Sequence, residues 1–362
     1  MKILHVITTL DTGGAERLMV DLLPRLRDRG HDVELLLFNG VMTPFRKELE
    51  RQGITIQELA NVQGNDRHTE VYNPLNILRL RKFLNGYDII HTHNTACQLY
   101  VPLANLLSRS RPLLVATEHN TTNRRRSMAW FKPIDKWMYG RYAAVICIAE
   151  QTRENLEQHI GNKSVLYTIH NGVSIDKYIK PIKQIDGKER FVITMVAGFR
   201  PQKDHATLIK SMLRLPERYS LQLVGRGETE QEMKTLCQDL GLEQRVNFMG
   251  MRSDVTDILE NSDVVVLSSH WEGLSLSSIE GMASGRPFIA SDVEGLRDIV
   301  GGAGILFPHG DDETLAKAIQ EFCENPARYR EVAAACQERA KCYDISRMAD
   351  GYDKLYRSLC KS

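Results

Sequence analysis

The sequence predicts an α/β fold made of two parallel sheets wrapped by helices, one sheet in each half of the chain. Short apolar runs alternate with amphipathic helical stretches throughout, the pattern of an open doubly wound sheet. The alternation breaks once, at HNGVSIDKYIKPIK (170–183), and then restarts. At 362 residues, 42% hydrophobic and 26% charged, the chain is long enough for two soluble domains of ordinary size.

The opening MKILHVITTL carries one Lys and an apolar run, and reaches Asp11 and Gly13-Gly14 with no cleavage site between. It reads as a first buried strand rather than a signal peptide. Strands are predicted at Lys2–Thr8, Asp32–Phe38, Asp88–His91, Leu113–Thr117 and Ala144–Ile148. Helical stretches lie between them at Glu16–Arg27, Pro74–Phe83, Thr95–Leu107 and Gln151–Gln158. Asn-Gly, Pro181 and several lysines then mark residues 171–183 as a linker. A second strand series follows at Arg190–Ala197, Leu221–Val224, Val246–Met249, Val264–Leu267, Pro287–Ala290 and Gly304–Phe307. The expected organisation is a first domain over 1–170 and a second over 184–344, with a cleft between them. The amphipathic segment Ile345–Leu359, within the tail 345–362, is expected to fold back on the first domain.

The net charge of +1 hides an asymmetry. Residues 1–180 carry 24 Lys and Arg against 18 Asp and Glu, and residues 181–362 carry 23 against 28. A basic first half suits an anionic partner such as a phosphate-bearing acceptor or a lipid surface, and nothing calls for a nucleic acid. The seven cysteines show no Cys-x-x-Cys and no disulfide spacing, so free thiols in a reducing cytoplasm are expected. No stretch approaches the length of a transmembrane helix.

The densest chemistry lies in EGLSLSSIEGMASG (272–285), directly after an apolar strand. Gly273, Ser275, Ser277 and Ser278 form a small-residue turn whose backbone N–H groups can approach an anion, and a helix is expected over Ser277–Ser284. Glu272 would stand on the loop and Glu280 on the first helical turns, too far apart for one catalytic dyad. They fit the two ends of an elongated ligand with a diphosphate between them. A loop Glu and a Glu serving the helix dipole would look the same.

Arg200 and Lys203 lie on the loop after the first strand of the second half, ahead of a helix beginning near Asp204. Two cations there can neutralise a diphosphate. Gly13-Gly14 follow the first strand and open a helix, which permits close backbone approach to a ligand. Neither this turn nor Gly225-Arg226-Gly227 completes a dinucleotide fingerprint, which argues against a nicotinamide dehydrogenase. His119 sits at the tip of a strand, where open α/β sheets bind ligands. His91 and His93 invite a zinc reading, but no third ligand stands at a recognisable spacing, so packing and hydrogen bonding account for them. Phe248, Met249 and Arg252 run from a strand into a turn whose backbone can pair with a base edge, although core packing explains the apolar pair equally well. Finally, Arg124, Arg125 and Arg126 lie near Trp130 and Trp137, a pattern suited either to an anionic membrane surface or to a partly packed helix pair.

Taken in order, GGAER (13–17), IIHTHN (89–94), TEHN (117–120), HNGVSIDKY (170–178), FRPQKDHATLI (199–209), LVGRGE (223–228), EGLSLSSIEGMASGRP (from 272) and ASDVEGLRDIV resemble a family 4 glycosyltransferase of the two-domain GT-B architecture. The likeness runs nearly end to end. It implies two Rossmann-like domains, with a nucleotide-diphosphate sugar held mainly by the second and a glycan or lipid-linked acceptor by the first. On this likeness Glu280 holds the ribose and Glu272 faces the donor sugar. Gly273, Leu274 and Ser275 offer backbone N–H groups, Arg200 and Lys203 meet the leaving diphosphate, and His119 lies over the sugar. Gly13 and Gly14 line the phosphate or acceptor side. Transfer is expected to retain anomeric configuration. The chain departs from the family at Gly198, where many relatives carry the phosphate-binding arginine, and Arg200 is expected to serve instead.

No Asp-x-Asp pair occurs, so neither metal nor another cofactor is expected. The expected setting is the cytoplasm, with peripheral contact to the inner face of the membrane, and the products polysaccharide, lipopolysaccharide or glycolipid. Two rivals fit the same motifs: a sugar-nucleotide epimerase of the same architecture, and an idle binding subunit of a transferase. The nucleotide (UDP, GDP or ADP), the sugar and the acceptor are not readable from motif letters.

Overall fold

The computed structural model describes residues 1–11, 13–62, 70–119, 128, 131–161 and 165–361. The chain forms two compact units, one of residues 1–172 with 345–362 and one of Val173–Asp344.

The first unit is a seven-stranded parallel sheet in the order β3-β2-β1-β4-β5-β6-β7. Its strands are β1 (Lys2–Ile7), β2 (Asp32–Asn39), β3 (Thr55–Ala60), β4 (Ile89–His93), β5 (Leu113–Glu118), β6 (Ala144–Cys147) and β7 (Leu166–Thr168). Both faces are covered, so the central strands are apolar almost throughout, as parallel strands must be. The two edge strands are the ones the sequence pattern does not announce. β3 (TIQELA) has no fully buried residue, and β7 is three residues long. The helix Ile345–Leu359 packs against the helix Gly14–Asp28 and buries Ile345, Met348, Tyr352 and Tyr356 in the same core as Ile3 and Leu22.

The second unit carries a six-stranded parallel sheet ordered β10-β9-β8-β11-β12-β13. These are β8 (Phe191–Val196), β9 (Tyr219–Val224), β10 (Val246–Gly250), β11 (Val264–Leu267), β12 (Phe288–Ser291) and β13 (Ile305–Phe307). All six coincide with predicted strands. Residues 173–183 belong to this unit rather than to a free linker. Val173 and Ile175 are buried in its core, and Lys183 reaches the buried Asp263 at 3.0 Å. Apolar side chains and a paired cation overrode the Asn-Gly and Pro punctuation.

Each sheet reverses its strand order once, between β1 and β4 in the first unit and between β8 and β11 in the second. Loops leaving the carboxyl ends of those central strands diverge and open a crevice, which is where such sheets bind ligands. Both units therefore have the Rossmann-like arrangement.

Candidate active site

In the second unit the loops after β8 and β11 carry the predicted cations and carboxylate. Backbone and side chains cross-link the two loops. The His270 N–H donates to the Gln202 carbonyl at 2.8 Å, and Gln202 Nε2 donates to the Trp271 carbonyl at 2.8 Å. Within this frame Lys203 forms an ion pair with Glu272, whose carboxylate also accepts from Ser269 Oγ at 2.6 Å and Gln202 Nε2 at 3.4 Å. Glu272 is 6% exposed and Lys203 17%. A carboxylate this enclosed needs its cation and its donors together, so the pair fixes the position of both loops.

Beyond Glu272, Gly273 and Leu274 lead into the helix Leu276–Ala283. Ser275 is its N-cap, accepting from the Ser278 N–H at 3.4 Å, so the helix starts one residue before the expected Ser277. Glu280 is partly buried on this helix and accepts from the Tyr178 hydroxyl at 3.0 Å. Gly295 packs against the loop from the other side. A methyl group there would lie 2.3 Å from the Gly273 carbonyl oxygen and 2.4 Å from that of Glu272. The loop bearing Glu272 is thus held from below by a glycine that sequence reading passed over.

Arg200 is exposed at the start of the short 3-10 turn Pro201–Lys203, beside a cleft of about 220 Å³ lined by Asp204, His205, Thr229 and Glu232 among others. Asp204 adopts φ +44° and caps the helix His205–Ser211 through a hydrogen bond from the Thr207 N–H at 3.2 Å. The Phe248 ring stacks on Phe199 at 5.7 Å, with Lys234 Nζ 5.5 Å from its centre. Met249 is partly buried, whereas Arg252 is exposed and engaged by Asp254 through two hydrogen bonds of 2.8 and 2.5 Å.

In the first unit Gly13 is the N-cap of the helix Gly14–Asp28, and Gly14 is exposed on its first turn. The Glu16 carboxylate folds over this turn, 2.2 Å from where a Gly13 side chain would begin, and burial raises its pKa. His119, just beyond β5, is partly exposed and bonded through Nε2 to His93 Nδ1 at 3.0 Å. His93 in turn meets His5 at 3.0 Å, and His5 lies directly opposite His91 in the sheet. His5 is the partner that spacing arguments missed, because only strand register brings it to the His91–His93 pair.

The stretch with Arg124, Arg125, Arg126 and Trp130 lies outside the described residues. Trp137 is described and is partly buried. It packs against the first unit's core, with the Arg141 guanidinium 5.3 Å from its ring centre. Among the described residues no helix is long and apolar enough to cross a membrane.

Two groups among the described residues place three ligand-type atoms within 4.8 Å of one another: His5, His91 and His93, and Asp204, His270 and His309. In the first, the ring nitrogens are already engaged, His5 with His93, His91 with Thr117 and Tyr356, and His93 with His119. In the second, Asp204 already serves as a helix cap.

The profile described as Glycosyltransferase Family 4 matches residues 12–177, and that described as Glycosyl transferases group 1 matches residues 177–342. The chain belongs to the family 4 glycosyltransferases. Its two Rossmann-like domains are those of the GT-B fold. HepE of Anabaena, solved in complex with UDP-glucose, superposes with a TM-score of 0.84 at 23% identity, over 99% of this chain and 100% of that one. In sequence this glycosyltransferase is 26% identical to the Escherichia coli UDP-Gal:alpha-D-GlcNAc-diphosphoundecaprenol alpha-1,3-galactosyltransferase, over 88% of this chain and 87% of the other. It is also 26% identical to the lipopolysaccharide core biosynthesis glycosyltransferase LpsD of Rhizobium meliloti, over 98% of both.

Proposed function

We propose that this glycosyltransferase moves a sugar from a UDP-linked donor to a lipid-linked or glycan acceptor in the building of a surface polysaccharide, lipopolysaccharide or glycolipid, with retention at the anomeric carbon. The observation that carries the donor reading is the Lys203–Glu272 pair at the switch point of the second sheet, followed at once by the Ser275-capped helix. A cation, a run of N–H groups and a helix N-terminus at one crevice suit a diphosphate. UDP is preferred because HepE was solved with UDP-glucose and the Escherichia coli relative is named for UDP-Gal.

In this reading the donor diphosphate takes over Lys203, with Arg200 beside it, and Glu272 turns to the hydroxyls of the donor sugar. Gly273, Leu274 and Ser275 present N–H groups to the phosphates, and Glu280 holds the ribose. The base lies toward Phe248 and Met249. In the first unit, Gly13 and Gly14 border the acceptor or phosphate, and His119 hydrogen-bonds to substrate. The bond between the anomeric carbon and the phosphate oxygen breaks while the acceptor oxygen bonds to the same face. The acceptor's proton passes to the departing phosphate oxygen. The largest barrier is charge growing on that diphosphate, which Lys203 and the helix terminus offset. No Asp-x-Asp pair offers oxygen ligands to a divalent ion, which supports transfer without a metal.

The deciding experiment is a panel of UDP-, GDP- and ADP-sugars followed by thermal shift, since a bound donor raises apparent stability by mass action. The UDP-sugars are expected to stabilise the protein, and product NMR is expected to give the donor's own anomeric configuration. Stabilisation by ADP- or GDP-sugars alone would overturn the UDP assignment, and an inverted product would overturn the stereochemistry.

A further inference from the structure

Behind His119 lies an unbroken series of hydrogen-bonding side chains, all from the first unit. Tyr352 Oη meets Thr117 Oγ1 at 2.9 Å, and Thr117 Oγ1 meets His91 Nε2 at 2.7 Å. His91 Nδ1 bonds to the Tyr356 hydroxyl, which stands 3.5 Å from His5 Nε2. His5 Nδ1 then meets His93 Nε2, and His93 Nδ1 meets His119 Nε2, both at 3.0 Å. Every member up to His93 is fully buried. Burial pushes the His5 ring down to about 3 and holds His91 and His93 far below their ordinary value, so these rings are neutral at pH 7.

A neutral imidazole has one N–H and one bare nitrogen, and a hydroxyl has one hydrogen to give. A hydroxyl can also accept from both sides, but any arrangement that puts a proton on His119 Nε2 leaves one hydrogen further in without an acceptor. If the chain points inward, from His119 towards Tyr352, the last hydrogen belongs to the Tyr352 hydroxyl, which has no acceptor other than Thr117 among the described residues. A buried O–H without an acceptor costs about 1–3 kcal/mol. If it points outward, Tyr352 donates to Thr117, Thr117 to His91, His91 to Tyr356, Tyr356 to His5, His5 to His93 and His93 to His119. Every hydrogen then has an acceptor. The outward direction leaves His119 Nε2 as acceptor and places its proton on Nδ1, for which no partner exists among the described residues.

We propose that Tyr356, acting through the buried histidines, is a positioning residue that fixes His119 as a neutral hydrogen-bond donor, its Nδ1–H offered to an oxygen of the substrate. The consequence for turnover rests on the proposed glycosyl transfer; the tautomer itself does not. Tyr356 is the joint that matters. Without its hydroxyl, His5 Nε2 has no partner among the described residues in either direction, and the penalty that selects one direction disappears. Tyr352 is different, because the Thr117 hydroxyl can still donate to His91 when Tyr352 is gone.

The test is long-range ¹H–¹⁵N NMR of the full chain labelled at histidine, with the His119 signals identified by their loss in His119→Gln. Wild type is expected to show a single neutral His119 tautomer protonated on Nδ1. Tyr356→Phe is expected to give a mixture, and Tyr352→Phe to keep the wild-type tautomer. A proton on Nε2 in wild type overturns the proposal without any variant having to fold. So does a Tyr356→Phe protein, folded by circular dichroism, whose His119 remains wholly Nδ1-protonated. In turnover, Tyr356→Phe is expected to lose about tenfold in kcat/KM, the worth of one hydrogen bond, with UDP affinity unchanged. An unchanged kcat/KM despite an altered tautomer overturns the positioning role. Absence of any transfer by wild type would instead count against the functional reading and leave the tautomer result standing.

Discussion

Lys203 and Glu272, 69 residues apart in sequence, form an ion pair where the strand order of the second sheet reverses. Neither residue is idle: each engages the other. The proposed donor must therefore exchange partners with the pair, meeting Lys203 as Glu272 is released.

That exchange makes the two roles of Lys203 separable. Lys203→Ala is expected to lower kcat on the order of a hundredfold by removing a fixed cation from the leaving diphosphate. It should also cost on the order of 3 kcal/mol of stability, because Glu272 keeps Ser269 and Gln202 but loses its counter-charge. Adding Glu272→Gln removes the stranded charge. Urea denaturation should then recover most of the lost stability while steady-state kinetics stay impaired. Recovery of activity along with stability would show that Lys203 serves structure alone.

What was legible in the sequence follows from how local the signal was. The six strands of the second sheet are short apolar runs closed by Gly, Pro or Asp, and all six are found in place. β3 and β7 escaped because an edge strand needs no continuous apolar run. Lys203 and Glu272 were each singled out as site candidates, since each lies on a loop after a strand. Their mutual pairing was not, because it depends on β8 and β11 being neighbours. The same holds for His5, whose register with His91 is a property of the sheet. Trp137 was open to two readings because an aromatic among basic residues looks alike whether it faces lipid or a core, and it is partly buried.

Gly295 offers a test of loop placement that touches no proposed ligand contact. Its φ of +83° and the carbonyl oxygens of Glu272 and Gly273 leave no room for a methyl group. Gly295→Ala is expected to cost about 1–3 kcal/mol in backbone strain and to push the Glu272 loop out of register with Lys203. Activity should fall further than that stability change predicts. Comparing kcat/KM with the urea midpoint checks this, and a loss of stability with full activity would contradict it.

Asp204 separates capping from charge. Asparagine tolerates the left-handed backbone and can still accept from the Thr207 N–H, so Asp204→Asn should change stability by less than about 0.5 kcal/mol. Asp204→Ala loses the cap and adds left-handed strain, for about 2 kcal/mol in all. Equal losses in the two variants, measured by chemical denaturation, would mean that the carboxylate charge matters more than the cap.

The buried histidines of the first unit predict an acid-side loss of stability. Their folded pKa values lie below the ordinary 6.5, with His5 down to about 3 because burial opposes the charged ring. Between those two values the unfolded chain binds protons that the folded chain does not, so stability increases with pH. The contribution is complete above about pH 6.5 and drains away as pH falls towards 3. For His5 alone the slope approaches about 1.4 kcal/mol per pH unit, and His91 and His93 add to it with the same sign. The urea midpoint should therefore drop steeply from pH 7.5 to pH 5. Replacing His5 with the uncharged Gln should flatten that slope even though it lowers stability at pH 7.5, whereas an unchanged slope in His5→Gln would show that other groups carry the acid response.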